Sequence, residues 1–297
     1  MSKKIDGKTV AEWADEGIKH FDNSEYIKAI ECFKNVLKLY PDHFDILFNL
    51  AQAHKMLKQY QDEIKAYQRL IRLKPDFAET YSSLALAYNN LNKNEKAIEA
   101  YEKSLALKPN EGNNWYNLAI LYKKLDETNE SLNAFEQAKK LDPRNELVLR
   151  NLAELLYDKR KFKDAVENYN SLIKILPNDE NLYYNIGLAN AKLNKHRKAI
   201  KYYQKAIELK EDYPAAWNDL GYSYSMMGKK KEAIEYYEKA LSYDPEYTIS
   251  WFNMAITHLN LDQDEKATEC FNRVLKLEPN HKEAKMELHK LAKSRDN

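Results

Sequence analysis

The sequence has few cysteines and glycines, and it lacks long apolar runs. Its 297 residues include two cysteines, Cys32 and Cys270, which excludes a framework of several disulfides. Six glycines form no phosphate-cradling loop, and MMGKKKE at 226–232 does not match the P-loop pattern. No apolar run is long enough to span a bilayer, and the N-terminal segment lacks the apolar region of a secretory signal. These absences predict a protein of the reducing cytoplasm without a membrane partner.

An excess of one charge is also missing. The 47 lysines and arginines are balanced by 46 aspartates and glutamates, which leaves a net charge of +1. Chains that coat nucleic acid show a basic excess or a basic stripe, so nucleic acid is not an expected partner. With 44% hydrophobic and 31% charged residues, the chain can bury a core and keep a hydrated surface.

Proline recurs at a fixed spacing of 34 residues, at positions 41, 75, 109, 143, 177, 245 and 279. Glu211 fills the one vacant place in this series, and Pro214 lies outside it. A period of 34 residues is typical of helix–turn–helix repeats, which stack because no single hairpin can bury its apolar face. The phase predicts eight repeats, at residues 10–43, 44–77, 78–111, 112–145, 146–179, 180–213, 214–247 and 248–281.

One repeat shows the pattern most clearly, with Trp217, Leu220, Gly221, Tyr224, Ala233, Tyr237 and Pro245. This spacing resembles the tetratricopeptide repeat (TPR) family. The resemblance implies an all-α, right-handed superhelical solenoid of eight repeats over residues 10–281. We expect a flexible leader over residues 1–9. We also expect a capping helix over residues 282–297, where Ala284, Leu288 and Leu291 recur at helical spacing.

Three positions of the repeat predict how the helices pack. Position 8 is always glycine or alanine, position 20 is usually alanine, and position 24 is always aromatic. Small side chains let two helices approach closely, and the ring fills the space between hairpins. Glu63 departs from the pattern at position 20, so it either snorkels to solvent or loosens its hairpin. Glu211 in place of proline, followed by Pro214, suggests a reshaped junction between repeats.

The turns between paired helices carry residues that tolerate a left-handed conformation: Asn92, Asp126, Asn194, Gly228 and Asp262.

Histidine and cysteine predict neither a metal site nor a catalytic site. His20, His54 and His258 share position 11, where other repeats carry tyrosine, so we assign them a packing role. No cysteine joins them at the sequence spacing of zinc ligands. Cys32 and Cys270 share position 23 at opposite ends of the array, which makes a bridge within the chain unexpected. We therefore predict no metal, no cofactor and no enzymatic activity.

In the TPR family the first helices line a concave groove, and the resemblance assigns positions 2, 5, 6, 9, 12 and 13 to it. Position 6 is asparagine in five repeats, at Asn49, Asn117, Asn151, Asn185 and Asn253. Position 5 is aromatic in the even-numbered repeats, at Phe48, Tyr116, Tyr184 and Phe252. An amide carries both a donor and an acceptor, so it can pair with the backbone of an extended peptide. The row resembles the asparagine array in the TPR superhelix of O-linked N-acetylglucosamine transferases.

These patterns predict a non-catalytic scaffold that holds an extended peptide or a partner protein in its groove. Lys123, Lys124 and Arg150 predict a preference for acidic residues in the ligand. A carboxylate clamp for acidic C-termini is not expected, because no repeat has lysine at position 5 or asparagine at position 9. Two other functions stay open: a regulatory or substrate-recruiting module of a separate enzyme, such as a glycosyltransferase, and a self-assembling structural scaffold. The asparagines are also common in TPRs generally and could meet only water. The sequence does not indicate whether the protein is a monomer or an oligomer.

Overall fold

The computed structural model describes residues 4–295, whose regular secondary structure is helical apart from one short hairpin. Residues 1–3 of the predicted leader and 296–297 of the predicted capping helix lie outside the described residues. The helices are α1 Val10–Asp22, α2 Tyr26–Leu39, α3 Phe44–Met56, α4 Tyr60–Leu73, α5 Ala78–Asn90, α6 Asn94–Leu107, α7 Gly112–Lys124, α8 Thr128–Leu141, α9 Glu146–Asp158, α10 Phe162–Ile173, α11 Glu180–Lys192, α12 His196–Leu209, α13 Pro214–Met226, α14 Lys230–Tyr243, α15 Thr248–Leu259, α16 Asp264–Leu277 and α17 Lys282–Arg295.

The helices fall into two compact units. Unit 1, Met1–Pro143, contains α1–α8, and unit 2, Arg144–Asn297, contains α9–α17. In each unit, every odd-numbered helix up to α15 packs against the even-numbered helix that follows it. These first helices start 34 residues apart, from Val10 to Thr248, in the phase of the prolines. The prediction of an all-α array of helix–turn–helix repeats is therefore confirmed.

Each turn between paired helices contains one left-handed residue, again at intervals of 34. The φ angles lie between 54° and 79° at Ser24, Lys58, Asn92, Asp126, Arg160, Asn194, Gly228 and Asp262. The five turn residues predicted from their chemistry are confirmed. Lys58 and Arg160 adopt the same conformation although their side chains gain nothing from it. A left-handed backbone costs such residues about 1–2 kcal/mol relative to glycine.

Relief of this strain gives a first testable prediction. We expect Arg160→Gly to raise the free energy of unfolding of unit 2 by about 1 kcal/mol, because glycine adopts φ 58° without a steric cost. The matched control is Lys159→Gly, whose φ is −82°. It should lower the stability by about 0.5–1 kcal/mol. Urea unfolding followed by circular dichroism measures both changes, and equal effects of the two substitutions would contradict the prediction.

The core of both units is built from the aromatic residue at position 24 of each repeat. All eight of these rings are 3% exposed or less: Phe33, Tyr67, Tyr101, Phe135, Tyr169, Tyr203, Tyr237 and Phe271. Position 20 lies against position 8 of the same hairpin, as the hydroxyl of Ser131 shows by donating to the carbonyl of Ala119 at 2.9 Å. Small residues at both positions therefore let the paired helices approach closely.

Glu63 is the exception at position 20, and its side chain does not snorkel. It is 1% exposed, and its Oε2 has no hydrogen-bond partner among the described residues. Desolvation raises the pKa of Glu63 to about 7, with partial compensation by the charge of Lys55. The carboxyl is thus held inside the α3–α4 hairpin, at a position where six other repeats have the single methyl group of alanine.

The main chain of the junction at Glu211 is reshaped, as predicted: the N–H of Tyr213 donates to the carbonyl of Glu211 at 2.9 Å, whereas at a proline-containing junction the N–H of Tyr247 donates to the carbonyl of Asp244 at 3.1 Å. One link between the repeats is nevertheless kept. The indole of Trp217 donates to the carbonyl of Glu211 at 2.9 Å. The same bond joins Trp115 to Pro109 at 2.8 Å and Trp251 to the proline carbonyl six residues earlier at 2.9 Å. The contact uses the main-chain carbonyl, so it does not need proline. Pro214 is the first residue of α13, a place where its missing N–H costs nothing.

Residues 4–9 form a hairpin where the sequence analysis expects a flexible leader. Strand β1, Lys4–Ile5, pairs antiparallel with β2, Lys8–Thr9. The turn is Asp6-Gly7, both with positive φ, which is the strongest short hairpin signal. The indole of Trp13 donates to the carbonyl of Ile5 at 3.0 Å and ties the hairpin to α1.

At the other end of the chain, α17 packs on α16. Ala284 and Leu291 are 0% and 8% exposed and join the same apolar cluster as Phe271.

Candidate functional site

The asparagine row consists of the five predicted asparagines at position 6. All five are partly exposed, so each amide lies at the surface of its first helix. Their local partners differ. Asn151 donates to the carbonyl of Leu147 in its own helix at 2.9 Å, and Asn253 donates to Asn218 at 3.1 Å.

The other three asparagines are less constrained. Asn117 lies beside the buried hydroxyl of Tyr101 without forming a well-aligned hydrogen bond. Within the described residues, the side chains of Asn49 and Asn185 make no hydrogen bond. These two amides therefore have free donors and acceptors at the surface, one in each unit.

The four aromatic residues at position 5 all pack on the buried ring of their own hairpin. The ring centroids of Phe48 and Tyr67 are 6.3 Å apart, and those of Tyr116 and Phe135 are 6.0 Å apart. The corresponding distances in unit 2 are 5.8 Å for Tyr184 with Tyr203 and 5.8 Å for Phe252 with Phe271. Three of these contacts are edge-on and the contact of Tyr184 with Tyr203 is tilted, and contacts of this kind stabilise a hairpin. All four rings at position 5 are partly buried. This packing gives the four rings a structural role.

In unit 2 a chain of hydrogen bonds joins the first helices α11, α13 and α15. The hydroxyl of Tyr184 donates to Asp219 at 2.7 Å, and the amide of Asn218 donates to the other carboxylate oxygen at 2.9 Å. The hydroxyl of Ser250 and the amide of Asn253 donate to the side-chain oxygen of Asn218 at 3.0 and 3.1 Å. Burial raises the pKa of Asp219, whereas the bonds from Tyr184 and Asn218 lower it. This network fixes the surface of three successive first helices.

The three predicted basic residues already have partners or partial burial. Arg150 bridges Glu146 at 3.2 Å and Asp179 at 3.1 Å. Lys124 donates to Asn92 at 3.0 Å. Lys123 is half-buried. To bind an acidic side chain of a ligand, Arg150 would have to release Glu146 or Asp179.

Exposed apolar residues on the first helices were not singled out from the sequence. Tyr222 and Met226 on α13 are 43% and 54% exposed, and Ile249 on α15 is 54% exposed. Asp219, Tyr222 and Met226 follow one another at helical spacings of three and four residues, so they share one face of α13. The sequence indicates these residues, because Tyr222, Met226 and Ile249 are large apolar residues at positions 9, 13 and 2, which the TPR resemblance assigns to the groove. They give the first helices of unit 2 exposed apolar surface.

The three histidines at position 11 pack as the sequence predicts. The Nδ1 atoms of His54 and His258 lie 2.6 and 2.7 Å from the amide oxygens of Gln59 and Gln263. His20 makes the corresponding contact with a carboxylate, Glu25, at 2.5 Å. Cys32 and Cys270 are both buried free thiols.

No described helix combines the length and the apolar character that crossing a bilayer requires.

Models of the tetratricopeptide repeat match most of the sequence. One model matches residues 78–111, 181–213 and 214–247, and two others match residues 15–78 and 249–281. A further model, described as YpiA-like tetratricopeptide repeats, matches residues 124–176. No curated protein sequence matches the chain.

Several solved structures share the fold. MamA is 25% identical, with a TM-score of 0.52 over 55% of this chain and 95% of its own. YrrB, described as a TPR protein with an unusual peptide-binding site, is 22% identical, with a TM-score of 0.53 over 65% of this chain and 99% of its own. The C-terminal part of a TPR repeat-containing protein from Cytophaga hutchinsonii is 19% identical, with a TM-score of 0.61 over 80% of this chain and 97% of its own. At these identities the similarity establishes the fold.

Proposed function

The chain belongs to the tetratricopeptide repeat family, and on that basis we propose that it is a non-catalytic cytoplasmic scaffold that binds extended peptide segments of partner proteins. The family supports a protein-interaction role, and the similarity to the peptide-binding YrrB favours a peptide as the ligand. The observation that carries the proposal is the pair of amides at Asn49 and Asn185, which have no hydrogen-bond partner among the described residues.

An amide of this kind suits recognition of a peptide backbone. Its NH₂ group donates to a backbone carbonyl while its oxygen accepts from a backbone N–H, so it can bind a peptide with little regard to sequence. Because Asn49 and Asn185 form no internal bond, a ligand can bind them without first breaking one. Tyr222 and Met226 supply exposed apolar surface on α13 of unit 2, and such surface adds affinity for apolar side chains of the peptide.

The proposal predicts that removing these two amides weakens peptide binding without weakening the fold. A display library of short random peptides, panned on the full chain, supplies the probe, and fluorescence anisotropy measures the affinity of an enriched peptide. Asn49→Ala combined with Asn185→Ala should weaken binding by about twofold to tenfold, since the peptide loses the hydrogen bond to the amide of the unit that holds it, and such a bond contributes about 0.5–1.5 kcal/mol. The helical circular dichroism signal should not change.

The matched control is Asn129→Ala combined with Asn272→Ala. Both are exposed asparagines on second helices, α8 and α16. This control should bind the enriched peptide like the unmodified chain. Equal affinity of both double variants, or panning that enriches no peptide, would rule out the proposed function. Light scattering over a range of concentrations tests the alternative of a self-assembling scaffold.

A further inference from the structure

The first hairpin brings three side chains with metal-binding atoms together. Glu16 and His20 lie one turn apart on α1, and Cys32 lies on α2. A carboxylate oxygen, a ring nitrogen and the sulfur of these residues all lie within 4.8 Å of one another. Among the described residues, this is the one group of three or more histidine, cysteine or acidic side chains with that geometry. The sequence does not reveal it, because the turn brings together residues that are 12 positions apart.

His20 is oriented as metal-binding histidines usually are. Its Nδ1 is 2.5 Å from Oε2 of Glu25, and its Nε2 is 3.9 Å from Oε1 of Glu16. A carboxylate at Nδ1 holds the ring proton there and leaves the lone pair of Nε2 directed toward Glu16. Histidines that bind metals almost always donate their second N–H in this way, which fixes the ring and makes it more basic.

Two other repeats provide an internal comparison. His54 and His258 contact an amide oxygen at the same place, from Gln59 and Gln263. An amide partner orients the ring but adds no negative charge. The first repeat therefore differs from these two in having a carboxylate behind its histidine.

The two remaining ligand positions differ as well. In the last repeat, Cys270 and Met254 stand where the first repeat has Cys32 and Glu16. In the second repeat both places hold apolar side chains, Ala66 and Leu50. Of these three histidine-containing repeats, the first alone combines nitrogen, sulfur and carboxylate ligands. Packing alone does not require that combination, since the other two repeats pack without it.

The cluster is accessible from one side. Cys32 is 4% exposed and forms the inner end. The side chain of Glu16 is 37% exposed and that of His20 is 23% exposed, so an ion can enter from solvent past these two residues. Lys8 of the N-terminal hairpin pairs with Oε2 of Glu16, which leaves Oε1 directed at His20.

We propose that Glu16, His20 and Cys32 form a site for a divalent metal ion with the ligand preferences of zinc. Zinc accepts carboxylate oxygen, imidazole nitrogen and thiolate sulfur together, and a water molecule would complete the tetrahedron. Bond lengths of about 2.0–2.3 Å place the ligand atoms of such a site roughly 3.5 Å apart, so binding requires side-chain shifts of about 1 Å. The thiol proton of Cys32 is released to solvent as the sulfur–metal bond forms.

Cobalt(II) tests this proposal because its bond to a thiolate gives a charge-transfer absorption band that zinc lacks. Cobalt(II) added to the reduced full chain should produce this band, saturate at one equivalent and be displaced by zinc. Cys32→Ser should abolish the band. Cys270→Ser, the matched cysteine of the last repeat, should leave it unchanged. No band in the unmodified chain, a band that survives in Cys32→Ser, or a band lost in Cys270→Ser would each overturn the proposal.

A second variant guards against misfolding at the buried cysteine. Glu16→Gln changes a partly exposed side chain, and circular dichroism should show an unchanged helix content. We expect this variant to bind cobalt(II) at least tenfold more weakly, because the amide oxygen carries no charge and is a poorer ligand. An unchanged affinity would remove Glu16 from the site and overturn the proposal as stated.

Discussion

Changing Glu63 to alanine is expected to stabilise the α3–α4 hairpin by about 3 kcal/mol more at pH 8 than at pH 4.5. The pKa of Glu63 is raised by burial from its ordinary value near 4.5 to about 7. In the unfolded chain the carboxyl loses its proton near the ordinary value, whereas in the folded chain it keeps the proton until about pH 7. The folded state therefore binds more protons between these two values. Stability falls as the pH rises through this window, and the loss is complete above it.

Hydrogen exchange of the α3 and α4 amides at several pH values measures this effect locally, which suits a repeat array whose parts need not unfold together. Glu63→Gln keeps the side-chain volume and should abolish the pH dependence. Glu99→Ala, which removes an exposed glutamate from α6, is the control and should show no comparable gain. If the stability of the unmodified hairpin does not change between pH 4.5 and pH 8, the pKa of Glu63 is not raised in the folded state and the prediction is wrong.

Changing Gly187 to leucine is expected to lower the free energy of unfolding of unit 2 strongly. A Cβ atom at this position would lie 2.4 Å from Cε1 of Tyr203. The ring of Tyr203 is 1% exposed and has Tyr184 against it, so it has no free space to move into. Overpacking of this kind costs about 1–3 kcal/mol for small insertions, and a leucine should exceed that range in unit 2.

A second substitution that removes the ring of Tyr203 should relieve this clash. Combining Gly187→Leu with Tyr203→Ala removes the ring and leaves space for the leucine, so the double variant should be more stable than the sum of the two single effects implies. Gly112→Ala is the control, because a Cβ there would meet Leu141 at an ordinary 3.6 Å. Urea unfolding of the four proteins measures the coupling. Additive single effects would show that the ring of Tyr203 does not limit the side chain at this position.

The helix pairs could be predicted because small and large side chains recur at fixed positions of the 34-residue period. Small residues such as Ala119 and Ser131 recur where helices touch, and large rings such as Phe135 recur where hairpins meet. These constraints act within one repeat or between neighbours, so a single sequence reveals them. The hairpin at residues 4–9 follows from Asp6-Gly7, a turn signal that the sequence contains and that the expectation of a flexible leader left out of account.

The candidate site could be predicted less completely. That Asn185 is free while Asn253 bonds to Asn218 depends on which side chains a neighbouring helix presents, and a pattern within one helix does not contain that information. The position of Cys32 beside His20 has the same origin, since it depends on how α1 and α2 are rotated against each other. Glu63 could be recognised as unusual from the sequence, but its burial follows from the absence of space to reach solvent.

The bond from Trp217 to the carbonyl of Glu211 has a consequence for how such a chain can change in evolution. Every residue supplies a main-chain carbonyl, so this link between adjacent repeats survives replacement of the residue that carries it. A duplicated or deleted 34-residue segment would find the same acceptor at its new boundary. Gene duplication can therefore alter the number of repeats without first having to create a new joint.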